Sequence, residues 1–98
     1  MATWLHPTQS GKSGFDMMKE NFVYVLLSLK DQKRYIGLTN NLERRFNEHN
    51  SGQVKATKFR RPFKLIYSES FDSRSEAALR EKFFKAGKGR EYLKKLNL

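Results

Sequence analysis

Phe22-Val23-Tyr24-Val25-Leu26-Leu27-Ser28-Leu29, followed after Asp31-Gln32 by Lys33-Arg34-Tyr35-Ile36-Gly37, is the stretch on which the fold turns. The first run is β-branched and apolar enough for a buried strand. Asp31-Gln32 breaks it and the second run resumes it, so the whole reads as a β-hairpin. Side chains alternate along a strand, so a turn of even length puts Tyr24 and Tyr35 on the same face of the sheet. An odd turn or a bulge would separate them.

Working outward, Thr39-Asn40-Asn41 offers helix-capping side chains. Asn40 with Glu43 three residues later carries part of a capping box, which predicts a helix from Asn41 to about Asn50, ended by Ser51-Gly52. The stretch 53–61 is basic and lacks apolar periodicity, so it is expected to be a loop before Pro62 and a third strand, Phe63 to about Ser68. Ser73 and Glu76 complete an S-x-x-E box and open a second helix running to about Ala86. Gly87-Lys88-Gly89 reads as an interruption, and Arg90 to Leu96 as a short terminal helix. The order strand, strand, helix, strand, helix, helix gives a small sheet covered by helices, an α+β domain over residues 20–98. Residues 1–19 are rich in Thr, Ser and Gly and have no sustained periodicity; a flexible leader is expected there. The globular pattern begins only after Met17-Met18, as an added extension or a misplaced start codon would produce. Trp4, His6 and Phe15 fall in this leader.

Ninety-eight residues with 38% apolar content suffice for one small domain and no more. Twenty Lys plus Arg against ten Asp plus Glu give a net charge of +10, a field that favours a polyanion such as DNA, with RNA as the alternative. With no cysteine, disulfides and thiolate zinc sites are excluded, and any metal must sit on oxygen or imidazole. The longest apolar run, Phe22 to Leu27, is too short to cross a bilayer, and no signal-peptide core precedes it. The expectation is a soluble, cytoplasmic protein; nothing in the sequence sets its oligomeric state.

Phosphodiester cleavage requires a group that activates water, a cation facing the phosphate and a carboxylate for a metal ion. On the first helix Leu42 and Phe46 form the apolar stripe, Arg45 and His49 lie four apart along one edge of it, and Arg44 points to solvent. Arg45 is placed to grip a phosphate oxygen, or else to lie over Phe46 or pair with a carboxylate. His49, whose ordinary pKa of about 6.5 lies nearest neutrality, could orient water or shuttle a proton, or simply pack. On the second helix Glu76 is explained by capping, whereas Glu81 lies in mid-helix beside Ala77 and Phe84 and is the better metal ligand. A lone carboxylate suits Mg²⁺, or Mn²⁺, which keeps waters and completes its shell with phosphate oxygens. The competing role for Glu81 is an ordinary salt bridge to Lys85. Tyr24 and Tyr35 are either core aromatics or water-activating phenols; at a reference pKa of about 10 they need a nearby cation to act as bases. Lys55, Lys58, Arg60 and Arg61 around Phe59 form a basic loop suited to phosphate contacts and to stacking on a base, or a solvated charge cluster.

Together, Phe22-Val23-Tyr24, Tyr35-Ile36-Gly37, Arg45, His49 and Glu81 resemble the GIY-YIG nuclease domain, over about Asn21 to Ala86. The block from Tyr35 to Arg45, then His49-Asn50-Ser51-Gly52, Arg61-Pro62, Ser75-Glu76-Ala77 and Arg80-Glu81-Lys82 look like its short, single-domain bacterial members. The resemblance implies a three-stranded antiparallel sheet flanked by helices and hydrolysis of DNA phosphodiesters with one divalent metal, in DNA repair or processing. It places Glu81 on the metal-binding glutamate, Arg45 on the phosphate-stabilising arginine, and Tyr24 and Tyr35 on the motif tyrosines, of which the second is the usual candidate for activating water. His49 falls where some members carry a functional histidine. Two departures stand out: Phe22 replaces the first motif glycine, and Asn97 matches only loosely the late asparagine of some members. The reading from another class is a nucleic-acid-binding module with the same fold and weak or no catalysis.

Overall fold

Ser28 and Lys33 close the hairpin, the Ser28 N–H donating to the Lys33 carbonyl at 3.0 Å. The four residues between them make the turn even, and Gln32 within it takes a left-handed conformation, φ 62°. The computed structural model describes residues 20–98; the leader expected at residues 1–19, with Trp4, His6 and Phe15, lies outside them. Strand β1 spans Asn21–Ser28 and β2 spans Arg34–Thr39, followed by helix α1, Leu42–Asn50. A 3-10 turn, Lys58–Arg60, precedes β3, Phe63–Phe71, and helices α2, Arg74–Lys85, and α3, Gly87–Lys95, close the domain.

The three strands form one antiparallel sheet in the order β2-β1-β3. β1 pairs Tyr24 with Gly37 and Leu26 with Tyr35, so the even turn places both tyrosines on one face. On the other side, β1 pairs Val25 with Tyr67 but Leu26 with Leu65, so Ile66 is an extra residue in β3. This bulge resets the alternation. Phe63 and Leu65 join Phe22, Tyr24, Leu26, Leu42 and Phe46 on the face covered by α1. Beyond the bulge, Ile66, Tyr67 and Phe71 turn to the opposite face, where Val23, Val25 and Ile36 pack against Ala77 and Phe84 of α2 and Leu93 of α3. The sheet is thus buried on both faces, which is why β1 is apolar almost without a break.

The expected α+β sheet with flanking helices is present, and several boundaries differ from the sequence reading. α1 starts at Leu42, because the cap is Asn41 and not Asn40: Asn41 Oδ1 accepts from the Arg44 N–H at 3.0 Å. Ser73 does cap α2, accepting from the Glu76 N–H at 3.1 Å. β3 continues to Phe71, three residues past the expected end, since the bulge brings its later residues into the second core. Residues 87–89 are the first turn of α3 and not an interruption; the break falls on Ala86, whose backbone is extended. Gly89 is a packing glycine. A Cβ there would lie 2.0 Å from the Phe83 carbonyl oxygen and 2.5 Å from the Phe84 Cα, so α3 meets the end of α2 at backbone distance. No described helix is long and apolar enough to cross a membrane.

Candidate active site

The site is built around a phenol on the central strand. Tyr24 is 2% exposed, and its ring lies across Gly37 of the neighbouring edge strand. A Cβ at Gly37 would fall 2.2 Å from Tyr24 Oη and 2.3 Å from Cζ, so the missing side chain is what gives the phenol room. Tyr24 Oη lies 2.9 Å from His49 Nε2. His49 is fully buried, and its Nδ1 is 2.8 Å from Thr57 Oγ1. The Thr57 hydroxyl itself donates to the Val54 carbonyl at 3.4 Å, so it accepts from His49 Nδ1–H. That leaves Nε2 to accept from the Tyr24 hydroxyl. Burial pushes Tyr24 up to about 12, a rise that the neighbouring Arg45 partly offsets. Burial, with the Arg45 charge adding to it, pulls His49 down to about 4. The pair is therefore neutral at physiological pH, with His49 hydrogen-bonded to Tyr24 and shielded from solvent.

Arg45 lies at the edge of this pair. Its Nη1 is 2.9 Å from Glu48 Oε1, and its charge acts on the neighbouring Tyr24. Burial opposes its charge, but Glu48 and Tyr24 outweigh that and raise its pKa. Arg44 is exposed as expected, with Glu48 at 3.5 Å and Asn40 at 3.3 Å. Tyr35 is half-buried, its ring centroid 4.9 Å from that of His49 and 6.5 Å from that of Tyr24. Glu81 comes from α2 on the other face of the sheet, yet its charge is felt at Tyr24 and adds to the rise there. Its carboxylate is also 3.1 Å from Lys85 Nζ, so the salt bridge weighed from sequence is present. Among the described residues no three His, Asp or Glu side chains gather to hold a metal. A metal at Glu81 would rest on one protein carboxylate plus water and substrate oxygens, a donor set that fits a hard ion such as Mg²⁺.

The basic loop divides in two. Lys55 and Lys58 are exposed, Lys58 Nζ lies 5.5 Å over the Phe59 ring, and that ring is 76% exposed. Arg61 is exposed while its Nε donates to the Lys58 carbonyl at 2.7 Å. Arg60 is turned inward: it pairs with Asp31 at 2.7 Å and donates to the Lys33 and Arg34 carbonyls at 3.2 and 3.4 Å. It fastens the loop to the hairpin, which leaves Lys55, Lys58 and Arg61 facing solvent. Ser28 adds to that fastening, its hydroxyl donating to the Arg60 carbonyl at 2.6 Å. Sequence reasoning missed Thr57, and it quoted Asn50 only within the His49-Asn50-Ser51-Gly52 block, with no role. Asn50 pairs with both the N–H and the carbonyl of Phe63, at 2.7 and 3.1 Å, and so locks the end of α1 to the start of β3. Neither residue carries a periodic signal; for Thr57, only its position eight residues after His49 could have prompted a search.

Residues 20–97 match the GIY-YIG catalytic domain. The chain belongs to the GIY-YIG family. A nuclease-type function goes with that membership. Its relatives include a UPF0213 protein of Clostridium perfringens, 47% identical over 66 residues, which are 66% of this chain and 70% of the relative. The UPF0213 protein YazA of Bacillus subtilis is 41% identical over 70 residues, 70% of this chain and 71% of YazA. The solution NMR structure of a UPF0213 protein from Bacillus halodurans is similar at a TM-score of 0.49 and 35% identity, covering 79% of this chain and 84% of that one. The motif blocks of this GIY-YIG domain, from Tyr24 on β1 to Glu81 on α2, all lie within the matched residues.

Proposed function

We propose that this GIY-YIG domain is a divalent-metal-dependent DNA endonuclease that hydrolyses phosphodiester bonds in DNA repair or processing. One observation carries the reading. The Tyr24 hydroxyl meets His49 Nε2 at 2.9 Å, the Tyr35 ring centroid lies 4.9 Å from that of His49, and Arg45 stands four residues before His49 on α1, so both motif phenols and the cation are held around one histidine. Arg45 neutralises the phosphate as charge develops in the transition state. Tyr24, anchored by His49, is a poor base at a pKa of about 12 and serves to hold and orient. Tyr35, the more exposed phenol, is the group beside the attacking water. Glu81 would hold Mg²⁺ or Mn²⁺, which when bound polarises the phosphate and makes water more acidic. Lys55, Lys58 and Arg61 contact flanking phosphates, and Phe59 offers a ring on which a base stacks.

The test is plasmid nicking with Mg²⁺ or Mn²⁺. Glu81→Ala is expected to lower cleavage by at least about 10²–10³-fold, the range for losing one group that stabilises the transition state. Its melting temperature should change little, since Glu81 is a surface ion-pair partner. Unchanged nicking by this variant would overturn the assignment. The Glu81–Lys85 ion pair favours a second reading, a nucleic-acid-binding module without catalysis. Such a module would lose affinity with rising salt yet leave DNA intact with every divalent ion.

A further inference from the structure

Lys55 and Lys58 face solvent, but Thr57, between them, is fully buried, with its hydroxyl oxygen 2.8 Å from His49 Nδ1. One short segment thus turns cations outward and a hydroxyl inward, onto the histidine whose Nε2 meets Tyr24 Oη at 2.9 Å. The main chain holds Thr57 from both sides: its N–H donates to the Val54 carbonyl at 3.1 Å, and its carbonyl accepts from the Arg60 N–H at 2.9 Å. Arg60 is in turn paired with Asp31 across the hairpin. The position of the Thr57 oxygen is therefore fixed by the backbone of the basic loop. Its proton is directed to the Val54 carbonyl, which leaves a lone pair for His49. A neutral imidazole carries one N–H, and the partner of one nitrogen decides what the other can do.

We infer that Thr57 is a positioning residue for Tyr24: by accepting from His49 Nδ1–H it keeps the proton off Nε2, which then accepts from the Tyr24 hydroxyl and fixes the phenol oxygen. Valine at this place has nearly the same outline but cannot accept. The imidazole would then carry its proton on Nε2, where the N–H points at the phenol oxygen and the Tyr24 hydroxyl loses its acceptor. Tyr24 is buried, so a lost acceptor is costly and the phenol turns away from its place. The loop thereby has two working sides. On the nuclease reading the outer one holds phosphates, and the inner one holds the phenol at a set distance from them. The inference deepens that reading and rests on it for the effect on cleavage, but the order of the hydrogen bonds is tested without substrate.

Nitrogen-15 NMR of the histidine rings in the full chain at pH 7 reads the tautomer directly, with His6→Gln leaving His49 as the one reporter. His49 is expected to carry its proton on Nδ1; a proton on Nε2 would overturn the inference before any change at Thr57. Thr57→Val should move the proton to Nε2, and Thr57→Ser should keep it on Nδ1. In plasmid nicking with Mg²⁺ or Mn²⁺, Thr57→Val is expected to lower kcat about 10²-fold, the loss that a group misplaced from a distance produces. KM, and affinity for DNA in EDTA, should hold because Lys55, Lys58 and Arg61 are untouched, and Thr57→Ser should recover kcat. Should circular dichroism show that Thr57→Val disturbs folding, Thr57→Ala repeats both measurements. A merely structural threonine gives another pattern: lower stability with the proton still on Nδ1, or full kcat with the proton on Nε2. Either result overturns the inference. The expected tautomers without cleavage in any divalent metal remove the nuclease reading and leave Thr57 as the residue that sets Tyr24. Cleavage by a wild type protonated on Nε2 does the reverse.

Discussion

The two faces of the sheet are packed to different ends. Under α2 and α3 the core is apolar, and the cation of Arg80 at its edge is fully used: the guanidinium donates twice to Glu69, at 2.8 and 3.1 Å, and lies 4.7–5.0 Å from the Phe83, Phe84 and Tyr92 ring centres. Under α1, by contrast, a histidine and a tyrosine are buried together and satisfied by each other and by Thr57. The first arrangement is what stability alone would select. The second places polar groups where hydrocarbon would pack as well, and buried polar groups of this kind are tolerated only when every partner is present. Each face also has one glycine at a point of closest approach, and the two glycines do different jobs. Gly89 lets backbone meet backbone between helices, whereas Gly37 lets one side chain cross a strand.

Substitutions at those points separate the faces. The largest loss is expected for Gly89→Ala, where the new methyl meets the main chain of α2, which cannot step aside; urea denaturation should show about 3 kcal/mol or more, at the upper end for overpacking. A stability within 1 kcal/mol of wild type would mean that the helices part freely there.

Next comes the titration of His49. Its pKa in the fold is about 4, below the ordinary 6.5, so the unfolded chain binds the extra proton and stability rises with pH across that interval. The contribution is complete above about pH 6.5 and fades as pH falls toward 4, by up to about 3 kcal/mol at 1.36 kcal/mol per unit. His49→Gln should flatten this part of the curve, and an unaltered slope in the variant would remove His49 as its cause. Asp31 acts in a separate, more acidic window: its hydrogen bond to Arg60 holds its carboxyl well below the usual range, so its share is present above that range and is lost only as pH falls through and beneath it.

Gly37→Ala is expected to be milder for the fold, about 1–2 kcal/mol, because the clash is with the far end of a side chain that can swing away. Cleavage should fall all the same, since the phenol is then displaced from His49 and Arg45. Normal activity in this variant would show that the crossing is mere packing. The smallest change is expected for Asp31→Asn, which frees the Arg60 fork at an exposed turn. Faster amide exchange through residues 53–61 with little change in overall stability is the expected signature, and unchanged exchange would mean that the ion pair does not hold the loop.

The hairpin and the order of elements were legible because strand periodicity is a local property, whereas the placing of Tyr24 and Tyr35 on one face hung on the length of the turn, which the sequence left open. The bulge at Ile66 was not, since it is a compromise between two cores that alternation along β3 alone cannot show. Gly87-Lys88-Gly89 misled for a similar reason. Glycine signals a break when its neighbours are unknown, and Gly89 is explained only by Phe83 and Phe84 coming within 2.0 and 2.5 Å of its missing side chain. At the site, Arg45 and His49 were found from helical spacing, but the burial of His49 depends on Thr57, which sits in a stretch with no pattern. Arg60 looked like its basic neighbours, and only the position of Asp31 across the hairpin sets it apart.

The fastening of the basic loop bears on how strongly it can grip. Besides Arg60 and Asp31, the Ser28 hydroxyl donates to the Arg60 carbonyl at 2.6 Å, the Leu29 N–H donates to the Pro62 carbonyl at 2.8 Å, and Lys30 Nζ donates to the Phe59 carbonyl at 3.0 Å. A loop fixed at so many points has surrendered its conformational entropy during folding, before any partner arrives. On the proposed nucleic-acid reading, docking would then freeze little beyond the side-chain rotamers of Lys55, Lys58 and Arg61, so a modest number of phosphate contacts would translate into measurable affinity.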